Sequence, residues 1–334
     1  VLRATERIRN RDAAALLGVS EGELIASSVG DTAIRLAGDF RELLRGLEPV
    51  GRVMALTRND ACVHEKDGVY TNLSWERHVG LALGEEIDLR LFFSHWRHGF
   101  AVADETPRGV LRSLQFYDAA GQAVHKIYLR KHSVLTAYAA LVEAFRAPDQ
   151  SASIDATPLT PKAPARPDSA IDVRGFRAAW AGMRDTHEFF GLLKRYGVTR
   201  VQGLRLTEPR FAQPAPISAA RALLAQVATT GTPIMVFVGN PGCIQIHSGP
   251  VANVKALDRW LNVLGSGFNL HLREDLIVSA WVVRKPTADG IVTSLELFDA
   301  AGDMIAMFFG KRKPGVPEIA DWRDTVAKLF PPAP

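Results

Sequence analysis

The stretch Val53–Tyr70, VMALTRNDACVHEKDGVY, returns in pattern as Ile234–Val251, IMVFVGNPGCIQIHSGPV. Asn59 matches Asn240, Cys62 matches Cys243 and Gly68 matches Gly249, each pair 181 residues apart. Farther along, SLQFYDAAG from Ser113 matches SLELFDAAG from Ser294 at the same spacing. An offset held over such a length marks a tandem duplication, and a repeat decides the architecture before any local reading does. The two cysteines therefore read as paired structural positions inside strands rather than as a redox or metal pair.

Between the copies, residues 147–170 (APDQSASIDATPLTPKAPARPDSA) carry five prolines among Ser, Thr and Ala. Such a stretch makes a poor helix and a poor strand, so it reads as an extended linker. The expected domains are residues 1–146, the linker 147–170, and residues 171–334. Each half starts with helices, continues as a strand-rich block and closes with a helix. In the first half, Arg9–Val19 and Glu21–Val29 read as short helices around a Gly-Val-Ser turn. The strand block runs from Arg52 to Arg130, with period-2 stretches such as AVHKIYL. Its short connections favour antiparallel hairpins over crossover helices. Ser133–Ala147 closes this half as an amphipathic helix, and Asp321–Phe330 closes the second. The expected fold is α+β: a tandem duplication whose two similar halves each hold a large antiparallel β-sheet flanked by helices.

Composition sets outer bounds. The chain has 334 residues, 47% apolar and 23% charged, which suits ordinary globular cores. No window approaches the roughly 20 consecutive apolar residues of a membrane span. VLRATERIRNRDAAALL has no apolar stretch of the kind a signal peptide needs, and two cysteines suit a reducing cytosol, so a cytoplasmic protein without membrane insertion is expected. A net charge of +4 falls short of nucleic-acid wrapping but suits a small acidic ligand. Arg11–Ser28 has a helix–turn–helix outline, which keeps DNA binding as a remote alternative.

The familiar catalytic signatures are missing: there is no GxGxxG after a strand, no GxxxxGK[ST], no HExxH, no GxSxG and no CxxC. The histidines (His64, His78, His95, His98, His125, His132, His187, His247 and His271) are scattered, with no zinc-type pair on a helix. His187 stands out within Gly175–Gly197, GFRAAWAGMRDTHEFFGLLKRYG, a helix candidate ending in Gly. Phe176, Trp180, Met183 and Phe190 mark an apolar stripe, and His187 falls on it. Two readings are open: a buried histidine bonded to a neighbour, or a neutral imidazole aimed into an apolar cavity, as a proximal haem ligand requires. Arg90 in IDLRLFF occupies the position of His271 in FNLHLRE. Alternation places Arg90 with Asp88 and Phe92, opposite Leu89 and Leu91. It can pair with a carboxylate of its own sheet or meet another anion. Arg284 and Lys285, and the run Lys311, Arg312 and Lys313, read as a solvated face or as cations for carboxylates.

These blocks together resemble the bacterial cytoplasmic haemin-transport or haemin-degrading family of the HemS/ChuS type. DLRLFFSHW, DTHEFF, VFVGNPGCIQIHSG, NLHLREDLI, WVVRKPTADG, SLELFDAAG and FFGKR occur in the family's order across nearly the whole chain. The resemblance implies haem as cofactor, with His187 as ligand of the haem iron. It implies that Arg90, with Phe92 beside it, approaches from the other face, and that Lys285 and Arg312 surround the pocket. Several relatives carry Tyr where this chain has Phe309, which removes a hydroxyl from the distal side. Two roles follow. One is a haem chaperone that receives imported haem and delivers it to a degrading enzyme, so that its partners would be a cytoplasmic haem oxygenase or a haem importer. The other is a haem-degrading enzyme that releases iron, with electrons from elsewhere. The chaperone is the favoured expectation.

Overall fold

The repetition in sequence becomes a repetition of elements. The computed structural model describes residues 8–76, 79–313 and 315–331; His78 and the first seven residues of the N-terminal stretch lie outside the described residues. In the first half, α1 (Asn10–Leu17) and α2 (Glu21–Ala26) precede β1 (Ala33–Leu36) and α3 (Phe40–Arg45). Then come β2 (Val53–Arg58), β3 (Cys62–Gly68), β4 (Leu73–Glu76), β5 (Val79–Leu83), β6 (Asp88–Phe92), β7 (His98–Thr106), β8 (Gly109–Tyr117) and β9 (Ala123–Leu129). Helix α4 (Leu135–Ala144) closes this half. In the second half, α5 (Val173–Ala181), α6 (Glu188–Tyr196) and α7 (Arg200–Leu206) precede β10 (Ala212–Ala215) and α8 (Ala219–Thr230). Strands β11 (Ile234–Asn240), β12 (Cys243–Gly249), β13 (Val254–Leu257), β14 (Trp260–Leu264), β15 (Phe268–Arg273), β16 (Ser279–Thr287), β17 (Gly290–Phe298) and β18 (Met304–Gly310) lead to the closing α9 (Ala320–Leu329).

Local chemistry explains the correspondence. Helices α2 and α7 both open with a capping box, Ser20 with Glu23 and Thr199 with Gln202. Helices α1 and α6 both end at a glycine in the left-handed region, Gly18 and Gly197, where a side chain would be strained. The edge strands pair alike, Ala33 with Val102 and Ala212 with Val283. The linker holds no helix or strand before a short 3-10 turn at Asp168–Ala170. Its start is tied down: Ala147 N–H donates to Arg35 O (2.9 Å), and Gln150 exchanges two hydrogen bonds with the Arg35 backbone.

The strands make two nine-stranded antiparallel sheets, as the repeat predicts. In the first compact unit, Leu43 and Leu44 of α3 and Leu141 and Val142 of α4 cover Ala55, Leu114, Phe116 and Ile127. In the second, Leu223, Leu224 and Val227 of α8 and Trp322 of α9 cover Val236, Leu295, Leu297 and Phe308. Helices α5 to α7 form a further core, in which Phe176, Trp180, Phe189 and Leu204 meet Val283 and Phe298. The helix–turn–helix outline at Arg11–Ser28 is α1 and α2, but α2 is used for packing: Ile25 and Ala26 are buried, and Glu21 pairs internally with Lys126. It is not offered as a recognition helix.

The units follow the two halves with a reciprocal exception. The turn Asn59–Val63 belongs to the second unit, and Gly239–Gln245 belongs to the first. Asparagine side chains fix both turns. Asn240 Oδ1 accepts from the backbone N–H groups of Gly242 and Cys243 (3.0 Å each), while its Nδ2 donates to Arg58 O (2.9 Å) and Val124 O (2.8 Å). Asn59 repeats this with Ala61, Cys62 and Ile305 O. Cys62 and Cys243 are fully buried, which pushes both thiols up and leaves them inert structural positions. Removing one carboxamide strands several backbone groups at once. Asn240→Ala is expected to cost about 2–4 kcal/mol in urea unfolding, and Asn59→Ala should cost a similar amount. A loss below about 1 kcal/mol would mean that other groups take over these bonds.

Candidate functional site

The stretch Gly175–Gly197 is two helices, not the single helix its apolar spacing predicts. Helix α5 stops at Gly182, and Met183 N–H turns back to Trp180 O. Asp185 then organises the restart: its Oδ1 accepts from the His187 backbone N–H at 2.8 Å. Glycine and a turn-forming aspartate thus outweigh the apolar period. Phe176, Trp180 and Met183 are buried as expected, but the phase shifts across the break: Phe189 is buried and Phe190 is 77% exposed. His187 takes the N-cap position of α6 and leaves the buried stripe, with its side chain 88% exposed.

Exposure does not leave the ring loose. His187 Nδ1 donates to Asp185 Oδ1 at 2.7 Å, which fixes the tautomer and leaves Nε2 with its lone pair available. The same two bonds, with Arg312 nearby, hold the Asp185 carboxyl below its usual range. The loop is anchored to the β16–β17 turn, where Ala288 N–H donates to Arg184 O (2.8 Å). In that turn Asp289 receives Arg312 Nη2 (3.3 Å) and Gly315 N–H (3.0 Å). His187, Asp185 and Arg312 are therefore brought together by two adjoining loops of the second unit.

Arg312 lies two residues beyond β18, whose pleat sorts the neighbouring side chains. Ala306 and Phe308 enter the core, while Met307 and Phe309 are half-buried on the other face. Across the ladder Met235 pairs with Phe309 and Phe237 with Met307, so four large apolar side chains share one sheet face. The Phe237 and Phe309 rings meet edge to face at 5.1 Å. This face is half-buried rather than open, and Arg200 reaches it, its Nη2 donating to Met307 Sδ at 3.2 Å.

Of the two readings open for Lys285, a solvated face or a cation holding a carboxylate, the structure shows the second. It is buried, and its Nζ donates to Glu296 Oε1 at 2.7 Å; Arg200 grips both oxygens of that carboxylate at 2.8 Å. Both cations lie against the Phe189 ring, at 4.6 Å and 5.0 Å from its centroid. Burial dominates at Lys285 and lowers it to about 8 in spite of Glu296. Burial raises Glu296, but two cations outweigh it and bring the carboxyl to about 2. Lys285 is thus already neutralised inside the protein and is not part of a solvated face. Arg312 is the basic residue of the expected set that lies beside the His187 loop.

Arg90 and Phe92 lie in the first unit with the alternation read from sequence: Leu89 and Leu91 are buried, and Asp88, Arg90 and Phe92 are half-buried. Arg90 is ion-paired with Asp88 on its own strand. Its repeat counterpart His271 faces Asn262 on β14 and hydrogen-bonds its Oδ1 through Nδ1 (2.6 Å).

A family model described as the haemin-degrading HemS.ChuX domain matches residues 18–145 and 197–329. The chain belongs to that family. It is 42% identical over 96% of its length to the hemin transport proteins HmuS of Yersinia pestis and HemS of Yersinia enterocolitica, covering 92% of each. Among solved structures it is similar to holo-PhuS, a heme-binding protein from Pseudomonas aeruginosa (48% identity, TM-score 0.96, covering 98% of this chain and 96% of that one). It is also similar to ChuS, described as an E. coli heme oxygenase (39% identity, TM-score 0.87, 99% and 98% covered). Arg90, Phe92, Lys285, Phe309 and Arg312 fall in the matched segments, whereas His187 falls between them.

Sequence reasoning missed the partners: Asp185, Glu296 and Arg200. Asp185 was visible as the residue two before His187, a spacing that favours an aspartate turn. Nothing local marks Glu296 as buried. Replacing Glu296 by Gln leaves two cations facing a neutral amide, and is expected to cost about 3–5 kcal/mol at pH 7. Because the folded-state value of Glu296 lies below its ordinary 4.5, the stability it gives is present above pH 4.5 and fades as pH falls toward 2. Urea midpoints between pH 7 and 3 should therefore fall more steeply for the parent than for Glu296→Gln; parallel curves would contradict the assignment.

Proposed function

We propose that this chain binds haem through His187 and passes it to a haem-degrading partner in the cytoplasm. The observation that carries the reading is the Asp185–His187 pair: an ordered imidazole whose second nitrogen is held by a carboxylate, as is usual for a metal-bound histidine. The residues present fit the group. Met235, Phe237, Met307 and Phe309 supply apolar side chains in the same unit, and Arg312, here paired with Asp289, would supply a cation for a propionate. Bound haem would supply the redox and oxygen chemistry of its iron. The chain's own residues ligate, orient and neutralise. The kinship with hemin transport proteins supports delivery. Phe309 supports it as well, because a phenyl ring cannot donate a hydrogen bond to a ligand on the iron.

In this reading Arg90, once released from its ion pair with Asp88, would affect haem release more than affinity. The second reading is haem degradation, favoured by the likeness to a protein described as a heme oxygenase. Its readout is distinct: with a reductant and catalase present, stoichiometric loss of the Soret band with release of chelatable iron would replace delivery by turnover. Under delivery, the band persists until an acceptor enzyme is added. Haem then leaves faster than it dissociates into a passive scavenger.

Haemin titration tests the ligand. His187→Ala should lose the parent ferric spectrum, and Asp185→Asn should weaken binding about 10–100-fold with the ligation unchanged. An unaltered spectrum in His187→Ala would overturn the assignment. Arg90→Ala should speed haem release several-fold and change the equilibrium affinity less. Equal rates in Arg90→Ala and parent would confine Arg90 to its ion pair with Asp88.

A further inference from the structure

The first unit contains a cavity of about 640 Å³ that the haem reading does not use. Its walls come from the end of β1 and the following turn, from the Phe93–Gly99 segment and from the start of the linker. Cations are concentrated there: Arg35, Arg41 and Arg97 line it, along with His98. The two carboxylates of the lining, Asp39 and Asp149, do not neutralise them equally. Asp39 is taken by Arg41 through Nε and Nη2, and Asp149 is turned to Ser151, whose N–H and hydroxyl it accepts at 2.9 Å and 3.0 Å. Arg35 donates to the oxygens of Ser151 and Ser153, lies over the Phe100 ring (5.8 Å) and is felt by Asp149, while its Nε has no hydrogen-bond partner among the described residues. His98 Nε2 has none either. Arg97 is exposed and makes no ion pair with a described carboxylate. Beside these groups stand the rings of Phe40, Phe93 and Trp96.

The duplication provides an internal control. By the register of the edge strands and the caps of α3 and α8, Arg35 corresponds to Pro214 and Arg41 to Ala220. By the offset of the repeats, Arg97 corresponds to Val278, His98 to Ser279 and Phe93 to Glu274. The second copy thus builds the same backbone with none of these cations, so the fold does not require them. Two guanidinium groups without a salt bridge, Arg97 and the Ser-bonded Arg35, beside aromatic rings match a flat molecule with an anionic head.

We propose that this cavity binds a small aromatic carboxylate, with Arg97 and Arg35 holding the carboxylate and Phe40 and Phe93 holding the ring. The volume lies within the range of small-molecule sites. Arg97 is the residue to change, because it is exposed and its loss leaves the core intact.

The probe is 1-naphthoate, titrated calorimetrically into the full chain, with the neutral 1-naphthalenemethanol and with acetate as controls. Saturable one-to-one binding of naphthoate is expected, weakened at least tenfold with either control and at least tenfold by Arg97→Gln. Arg97→Gln should keep the parent's haemin titration, which separates this cavity from the site at His187. Phe93→Leu should weaken naphthoate several-fold without changing acetate. No saturation by naphthoate at millimolar concentration would overturn the proposal. So would equal binding by parent and Arg97→Gln, or competition between naphthoate and haemin for one site.

Discussion

The Asn240 carboxamide makes four hydrogen bonds, and the arrangement of the first unit depends on them. Two are accepted from the turn that starts β12, and two are donated to carbonyls at the ends of β2 and near the start of β9. Those carbonyls and amides are buried or half-buried, so each needs a partner whatever else happens nearby. No apolar residue could replace the asparagine, and a shorter polar one would not span both sides. Cys243 is carried by this turn into the core that also contains Phe116 and Ile127. Asn59 and Cys62 do the same work in the second unit, where Cys62 joins Val238 and Leu270.

This demand explains why the duplication was legible. Asn59 and Asn240, Cys62 and Cys243, and Gly68 and Gly249 occupy backbone positions with geometric requirements, and such positions tolerate little. The alternation at Arg90 was legible for a related reason: a strand has a period of two, so Leu89 and Leu91 could only face away from it. The α5–α6 region was misread because apolar spacing is blind to a break. Phe176, Trp180 and Met183 continue to obey one helical phase up to the point where Gly182 and Asp185 reset it. Lys285 was opaque for another reason. A charge next to Arg284 in sequence reads as solvated, and only a carboxylate from β17 and a ring from α6 make its burial tolerable.

The two copies also show how one scaffold diverges. Glu296 and Ser294 on β17 correspond to Gln115 and Ser113 on β8, which bond each other and Tyr117 as a neutral network. Met307 and Phe309 correspond to Lys126 and Tyr128, with Lys126 paired to Glu21. Ionic groups in the second copy gather beneath Phe189, with Arg200 also reaching Met307, beside a half-buried apolar face, while the first copy places its ion pair on the equivalent strand. The same backbone has therefore been given a mainly apolar face in one half and a polar one in the other.

The exchange of turns has a consequence for biosynthesis. A ribosome delivers the first half well before the second, and most duplicated domains complete themselves in that order. Here the first unit includes Gly239–Gln245, so it lacks a buried cysteine and a turn until about three-quarters of the chain has emerged. Until then Ala61 and Cys62, destined for the other unit's core, have nothing apolar from that unit to meet. Completion of the first core therefore waits on chain from the second half, and a gene cut within the linker would leave each product with an unfilled place in its core.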